Sequence, residues 1–381
     1  MKNHPPAVSA APTRPASVLL GGFSVYLDLL RLAAALTVFF AHLAFPQFTR
    51  GEFSFSEHRG HTAVVIFFVL SGYVISHAAR QRETRLSDFT VSRIVRIYSV
   101  VLPALLLTNL VDLTLPSQDL SYQYHHYLEY LGLFLVFGTD YWFLTETAFS
   151  NMPFWSLSYE IPYYVFFACM VYFTGRRRLL LGGAVALLVG PRQWLLFPLW
   201  MAGAAVSSWH SQYPVMPVLF RRLNARILFA ISLVLLIAFM WTEADMALNF
   251  HLLWNWFPPG ATSFLRYSDY FPGDYLMGAL VALNLLSACY ADLRFGLAAP
   301  AIVAAAGCSF TLYLTHFPFL RFYAAHLQLA PLPLAAVTFV SVWLLSRVTE
   351  NQKANLHLLL RRYLPRQIST CGSDLRDGPT R

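Results

Sequence analysis

Apolar runs of about twenty residues recur along this chain, separated by short polar connections. A helix needs ~20 apolar residues to cross a hydrocarbon core. Runs near that length fall at 26–45, 61–78, 94–115, 154–174, 227–241, 272–290, 299–320 and 332–348. Two shorter ones, 179–189 and 194–209, read as a hairpin turning at Gly190-Pro191. Pro103 lies inside the third run and predicts a kink there, because proline cannot donate to the helical ladder. The stretch 127–143 is apolar but interrupted by Gly132 and Gly138. Charge bias decides how it is placed. Arg80, Arg82, Arg85, Arg93 and Arg96 follow the second run, and Arg176-Arg177-Arg178 follow 154–174. Both clusters belong on the cytoplasmic side. They share it only if 127–143 does not cross, so this stretch is expected to be re-entrant or interfacial. The pattern predicts an all-α, polytopic integral membrane protein with about ten transmembrane helices and both ends in the cytoplasm.

Composition agrees. The 381 residues are 57% hydrophobic and 12% charged, with mean hydropathy +0.51. A soluble domain carries ~25% charged residues, so a single soluble globule is excluded. The net charge of +8 resides in short connections and does not indicate nucleic acid as a partner. Four cysteines (Cys169, Cys289, Cys308, Cys371) lack any metal-ligand or disulfide spacing. Residues 1–20 read as a disordered cytoplasmic tail, 21–350 as the membrane domain and 351–381 as a cytoplasmic C-terminal tail. The first run contains Arg31 and lacks a cleavage pattern, so it is not a removable signal. No internal repeat of the transporter kind is visible.

The ionisable residues inside these runs carry the functional argument, because such groups are costly in a bilayer and face the protein interior or a wet cavity. Arg31 and His42 lie on one apolar helix, eleven positions apart. That is almost three turns, so they share a face ~16 Å apart. The competing explanation for Arg31 is snorkelling to the interface. Arg93 and Arg96 are three apart and suit a phosphate group, or simple cytoplasmic anchoring. Glu160 lies a turn or two into its run, with Ser156 on the same face and Pro162 loosening the helix beside it. His316 has Tyr313 one turn before it. Glu350 reads as a helix-end anchor. Topology sorts the set: Arg31, Arg93 and Arg96 in the inner half, His42, Glu160 and His316 in the outer half. An anionic molecule held at the inner face, with a reactive end part-way across, fits both groups. Histidine suits general-base work at its ordinary pKa of ~6.5, with a carboxylate to orient it.

Four segments, in order, resemble the acyltransferase-3 family of integral-membrane acyltransferases. They are Asp28-Leu29-Leu30-Arg31 through His42, Phe67-Phe68-Val69-Leu70-Ser71-Gly72-Tyr73 with Arg93 and Arg96, Phe154-Trp155-Ser156-Leu157-Ser158-Tyr159-Glu160, and Ser309 through Pro318. The resemblance covers about residues 24–350. It implies no tightly bound cofactor and no metal, with acyl-CoA (acetyl-CoA foremost) as co-substrate and a hydroxyl of a surface or exported glycan as acceptor. It implies His42 and Glu160 in catalysis, Arg31, Arg93 and Arg96 at the CoA moiety, and Trp155, Tyr313 and His316 at the substrate. It also implies the cell inner membrane as location, with polysaccharide-assembly enzymes as partners. Acceptor specificity is expected in the outer loop 243–274, whose aromatic residues could stack on sugars or form an interfacial belt. The rival readings are a proton-coupled transporter or flippase for an anionic lipid or glycan, and a non-catalytic scaffold subunit.

Overall fold

The computed structural model describes residues 21–52, 55, 57–115, 120–214, 222–242, 262–352 and 356. The tail 1–20, nearly all of the tail 351–381 and part of the expected outer loop, 243–261, lie outside the described residues. Twelve helices longer than five residues carry the described fold: α1 (Gly22–Leu43), α2 (Glu57–Gln81), α3 (Leu86–Thr114), α4 (Tyr127–Leu135), α5 (Leu157–Tyr172), α6 (Gly175–Val189), α7 (Pro191–Gln212), α8 (Arg222–Thr242), α9 (Phe271–Tyr290), α10 (Ala299–Ala306), α11 (Ser309–Leu327) and α12 (Pro331–Val348). Among the described residues there is no strand, only an isolated bridge between Ala148 and Asn151.

Among the described residues six helices are long and apolar enough to cross a membrane: α1, α2, α3, α8, α9 and α12. The pair α10–α11, bent by 50°, makes a seventh if it is counted as one span. The protein is therefore multi-pass; among the described residues, six or seven of the expected ten crossings meet this test of length and composition. The difference lies in α5, α6 and α7. At ~1.5 Å per residue, the 16 residues of α5 and 15 of α6 reach only ~24 Å, short of a ~30 Å hydrocarbon core. Helix α7 is long enough, but it opens with buried Arg192 and Gln193, which bond to the carbonyls of Leu144 and Asp140. The stretch expected to be re-entrant contains the nine-residue α4, far too short to cross.

Two boundaries differ from the hydropathy pattern. Helix α3 begins at Leu86, eight residues before the apolar run, and continues through Pro103. The run at 299–320 is not one helix but breaks at Gly307-Cys308. The break leaves the first N–H groups of α11 inside the protein, where they need acceptors. Glu350 supplies one: its Oε2 accepts the Thr311 N–H and the Thr311 hydroxyl, both at 3.0 Å. Glu350 thus anchors the start of α11.

Helix α2 is the axis of the bundle, with 72% of its apolar window buried. It crosses α7 at glycines. A Cβ on Gly72 would stand 1.8 Å from the Trp200 carbonyl oxygen, and one on Gly203 would stand 1.8 Å from that of Val69. Small residues let helix backbones touch where lipid supplies no hydrophobic drive. The Ser-Gly in the second apolar run thereby acquires its reason: Gly72 brings α7 into contact, and Ser71 is held beside it. Gly72→Ala or Gly203→Ala is expected to lower stability by ~1–3 kcal/mol through overpacking. Gly183→Ala, where a Cβ meets nothing within 4 Å, should be neutral or stabilising. Thermal unfolding in detergent checks this, and equal effects at all three sites would refute the crossing argument.

Candidate active site

Helices α1, α2, α3, α5 and α11 surround a cleft of about 770 Å³ including its mouth. Its walls are largely apolar, with Phe67, Phe68, Leu70, Val74 and Phe310 among them. The polar groups are few and come from different helices: Arg31 from α1, Ser71 from α2, Arg96 from α3, Glu160 and Tyr164 from α5, and Tyr313 from α11. Such a mostly apolar cavity with few convergent polar groups is how small-molecule sites are usually built.

The two arginines differ in how they are held. Arg31 Nη1 lies 3.0 Å from Asp28 Oδ1, one turn back on its own helix. The Arg96 guanidinium has no ion pair or hydrogen bond among the described residues. Arg93 does not join them. It is buried, pairs with Glu83 and lies over the Phe89 ring at 4.9 Å. A spacing of three put Arg93 and Arg96 on one face, yet only Arg96 opens into the cleft.

Glu160 is fixed by a directed chain. The Tyr164 hydroxyl donates to Glu160 Oε1. Its own oxygen then accepts from the Ser71 hydroxyl, 2.9 Å away. Ser71 Oγ in turn accepts the Trp200 indole N–H at 3.3 Å. The chain ties α5 to α2 and α7 at the glycine crossing. Tyr164 stands four residues after Glu160, a helical contact spacing that the sequence itself carries. The Tyr313 hydroxyl donates to Ser156 Oγ at 2.8 Å. Ser156, four before Glu160, does line the cleft with it.

His42 does not line the cleft, and its partner is not Glu160. Its Nδ1 lies 3.0 Å from His316 Nε2, and His316 Nδ1 lies 2.8 Å from the Leu312 carbonyl oxygen. His316 is fully buried, and the rings of Phe39, Phe45 and Phe317 surround the pair. The acceptors set the tautomers. A carbonyl only accepts, so His316 carries its proton on Nδ1 and presents a lone pair at Nε2. That lone pair requires a proton on His42 Nδ1. The basic nitrogen of the pair is therefore His42 Nε2. The dyad stands one helical turn, ~4.5 Å along α11, beyond Tyr313 at the end of the cleft.

Buried polar contacts hold α11 in register. Asp112 pairs with Arg321 and accepts from the Tyr124 hydroxyl and the Ser150 N–H. Asn151 donates to the Leu314 carbonyl at 2.9 Å. Trp155 is only 8% exposed, because Tyr267 stacks on it with centroids 4.0 Å apart. It does not line the cleft and is no open platform.

A family model described as an acyltransferase domain matches residues 24–346 of the 381. The chain thus belongs to the acyltransferase-3 family and is a multi-pass membrane acyltransferase. No curated protein and no solved structure matches it.

Nitrogen-15 NMR of histidine-labelled protein at neutral pH is expected to show His42 and His316 both as Nδ1–H tautomers. His316→Ala should release His42 into the tautomer mixture of free imidazole. A proton on His42 Nε2 in the intact protein would refute the assignment.

Proposed function

We propose that this membrane acyltransferase moves an acyl group, acetyl foremost, from acyl-CoA to a hydroxyl of a sugar in a surface or exported glycan. The observation that carries the reading is the alignment of an unpaired arginine, an apolar cleft and a histidine with its basic nitrogen selected. The family supports the reaction class, and the geometry supports the assignment of roles. The resemblance of the four segments supports acyl-CoA as donor and a glycan as acceptor. On this reading the arginine-bearing end faces the cytoplasm of a cell inner membrane.

The CoA phosphates meet Arg96 and Arg31, where guanidinium groups pair strongly with phosphate oxygens. The acyl end lies along the apolar walls toward Tyr313. Glu160, held by Tyr164, adds an acceptor for the amide N–H groups of the donor's arm. Arg93 supports the arginine end indirectly by fixing Glu83 against α3. His42 Nε2 takes the proton of the acceptor hydroxyl as its oxygen attacks the thioester carbonyl. The resulting imidazolium keeps its Nδ1–H on the His316 lone pair. The tetrahedral intermediate then collapses. The C–S bond breaks, the new ester is released, and His42 returns its proton to the sulfur to give free CoA.

Counting protons in the cleft nominates the oxyanion donor. The Ser71 proton is used on Tyr164 and the Tyr313 proton on Ser156. The Ser156 hydroxyl proton remains, with no acceptor among the described residues, beside the path to His42. A donor aimed at the developing oxyanion can contribute ~10²-fold or more.

Purified protein in lipid should release CoA from acetyl-CoA when a cell-envelope glycan extract is added. His42→Ala should lower the rate by ~10²–10⁴-fold, the usual range for losing a general base. Arg96→Met should raise the acetyl-CoA KM ~10-fold or more with kcat largely kept, as loss of a charged contact to the donor predicts. Full activity in folded His42→Ala protein would refute the mechanism.

A further inference from the structure

Beyond His42 the bundle end carries a second group of polar side chains that the reaction above leaves unused. It is built from the first turns of α2 and α9 and the short stretch 266–270 between α8 and α9. His61 Nε2 lies 3.1 and 3.2 Å from the two carboxylate oxygens of Asp274, whose side chain is fully buried. The Tyr270 ring stands 4.7 Å from that of His58 and 5.1 Å from that of His61. The rings of His61, Trp155 and Tyr267 are nearly parallel, 6.0 and 4.0 Å apart in sequence. Asp269 completes the group. Its Oδ1 is buried and has no hydrogen-bond partner among the described residues. Burial pushes the Asp269 carboxyl up to about 6, against the pull of His61 and His58 and with the push of Asp274.

Two chain links tie this group to the His42 dyad. Gly60, next to His61, abuts Ala41, next to His42: a Cβ on Gly60 would lie 2.9 Å from that of Ala41. Trp155 precedes Ser156, which receives the Tyr313 hydroxyl one turn below His316.

The chemistry selects a class of ligand. A buried carboxylate oxygen only accepts, so its missing partner is an O–H or N–H donor. An apolar ligand would leave it unsatisfied. An anion would face both Asp269 and Asp274. The His61 ring is itself stacked with those of His58 and Trp155, so the carboxylate oxygen rather than ring stacking selects the ligand. We infer that the His61–Asp274 pair, Asp269 and Tyr270 form the acceptor site, with a sugar hydroxyl donating to Asp269 Oδ1 and a neighbouring hydroxyl presented to His42. The inference rests on the acyl-transfer reading above and names where its acceptor is held.

The test measures CoA release at saturating acetyl-CoA against the concentration of a cell-envelope glycan extract. Asp269→Ala, which removes the accepting oxygen, should raise the acceptor KM about tenfold, the loss of one useful hydrogen bond, with the acetyl-CoA KM unchanged and kcat within about twofold. An unchanged acceptor KM beside an active wild type would overturn the site. Hydrogen exchange on wild-type protein provides an arm that needs neither the variant nor turnover. Adding the extract should slow exchange in 57–62 and 266–274. Extract-dependent CoA release without that protection would overturn the site. Protection without any CoA release would leave the site standing and sink the acyl-transfer reading.

Discussion

A polar group inside an apolar bundle must find its partner within the protein. Leaving one buried without a hydrogen bond costs ~2–7 kcal/mol, more than most single packing contacts return. The fold around the candidate active site follows from that constraint. His316, fully buried, is satisfied by the Leu312 carbonyl on one side and His42 on the other. The start of α11 is satisfied by Glu350, and further along the same helix Arg321 is tied to Asp112. Helix α11 therefore has little freedom to slide against α1, and the two histidines meet at one register.

The same constraint explains why the cleft is polar at only a few points. Ser71, Tyr164 and Glu160 form one directed chain, anchored on the Trp200 indole, whose own backbone lies against Gly72. The close backbone approach of α2 and α7 and the cleft's carboxylate are thus mechanically joined. Arg96 stands outside this economy as a guanidinium without a partner among the described residues, and for that reason it is assigned to the ligand. Arg31 and Arg93, each with a carboxylate partner of the protein's own, are less available.

Much of the fold was legible in the sequence because membrane spans are written as local runs of apolar residues. The positions of α1, α2, α3, α8, α9 and α12, and the failure of 127–143 to cross, all follow from length and charge bias. Hydropathy could not show that α5 and α6 stop short, since the 3-10 turn Met152–Ser156 continues the apolar pattern without continuing the α-helix. It also read across Gly307-Cys308, because a break closed by Glu350 depends on a residue 39 positions away from Thr311. Of the site, the one-face pairing of Arg31 and His42 was readable from helical periodicity. The partners were not. His42 and His316 are 274 residues apart and His61 and Asp274 are 213 apart, so no local pattern links them. Charge logic offers Glu160 to orient His42 or the acceptor, and in the structure the Tyr164 hydroxyl donates to that carboxylate.

The account's central claim is that donor and acceptor reach His42 from opposite ends of the bundle. Sealed proteoliposomes with the protein in one orientation test it most directly. Labelled acetyl-CoA is supplied on the face carrying Arg80, Arg82 and Arg85, and a glycan extract is placed on either face in turn. The account predicts labelled glycan only when the extract is on the opposite face. Labelling only with extract and acetyl-CoA on the same face would contradict it.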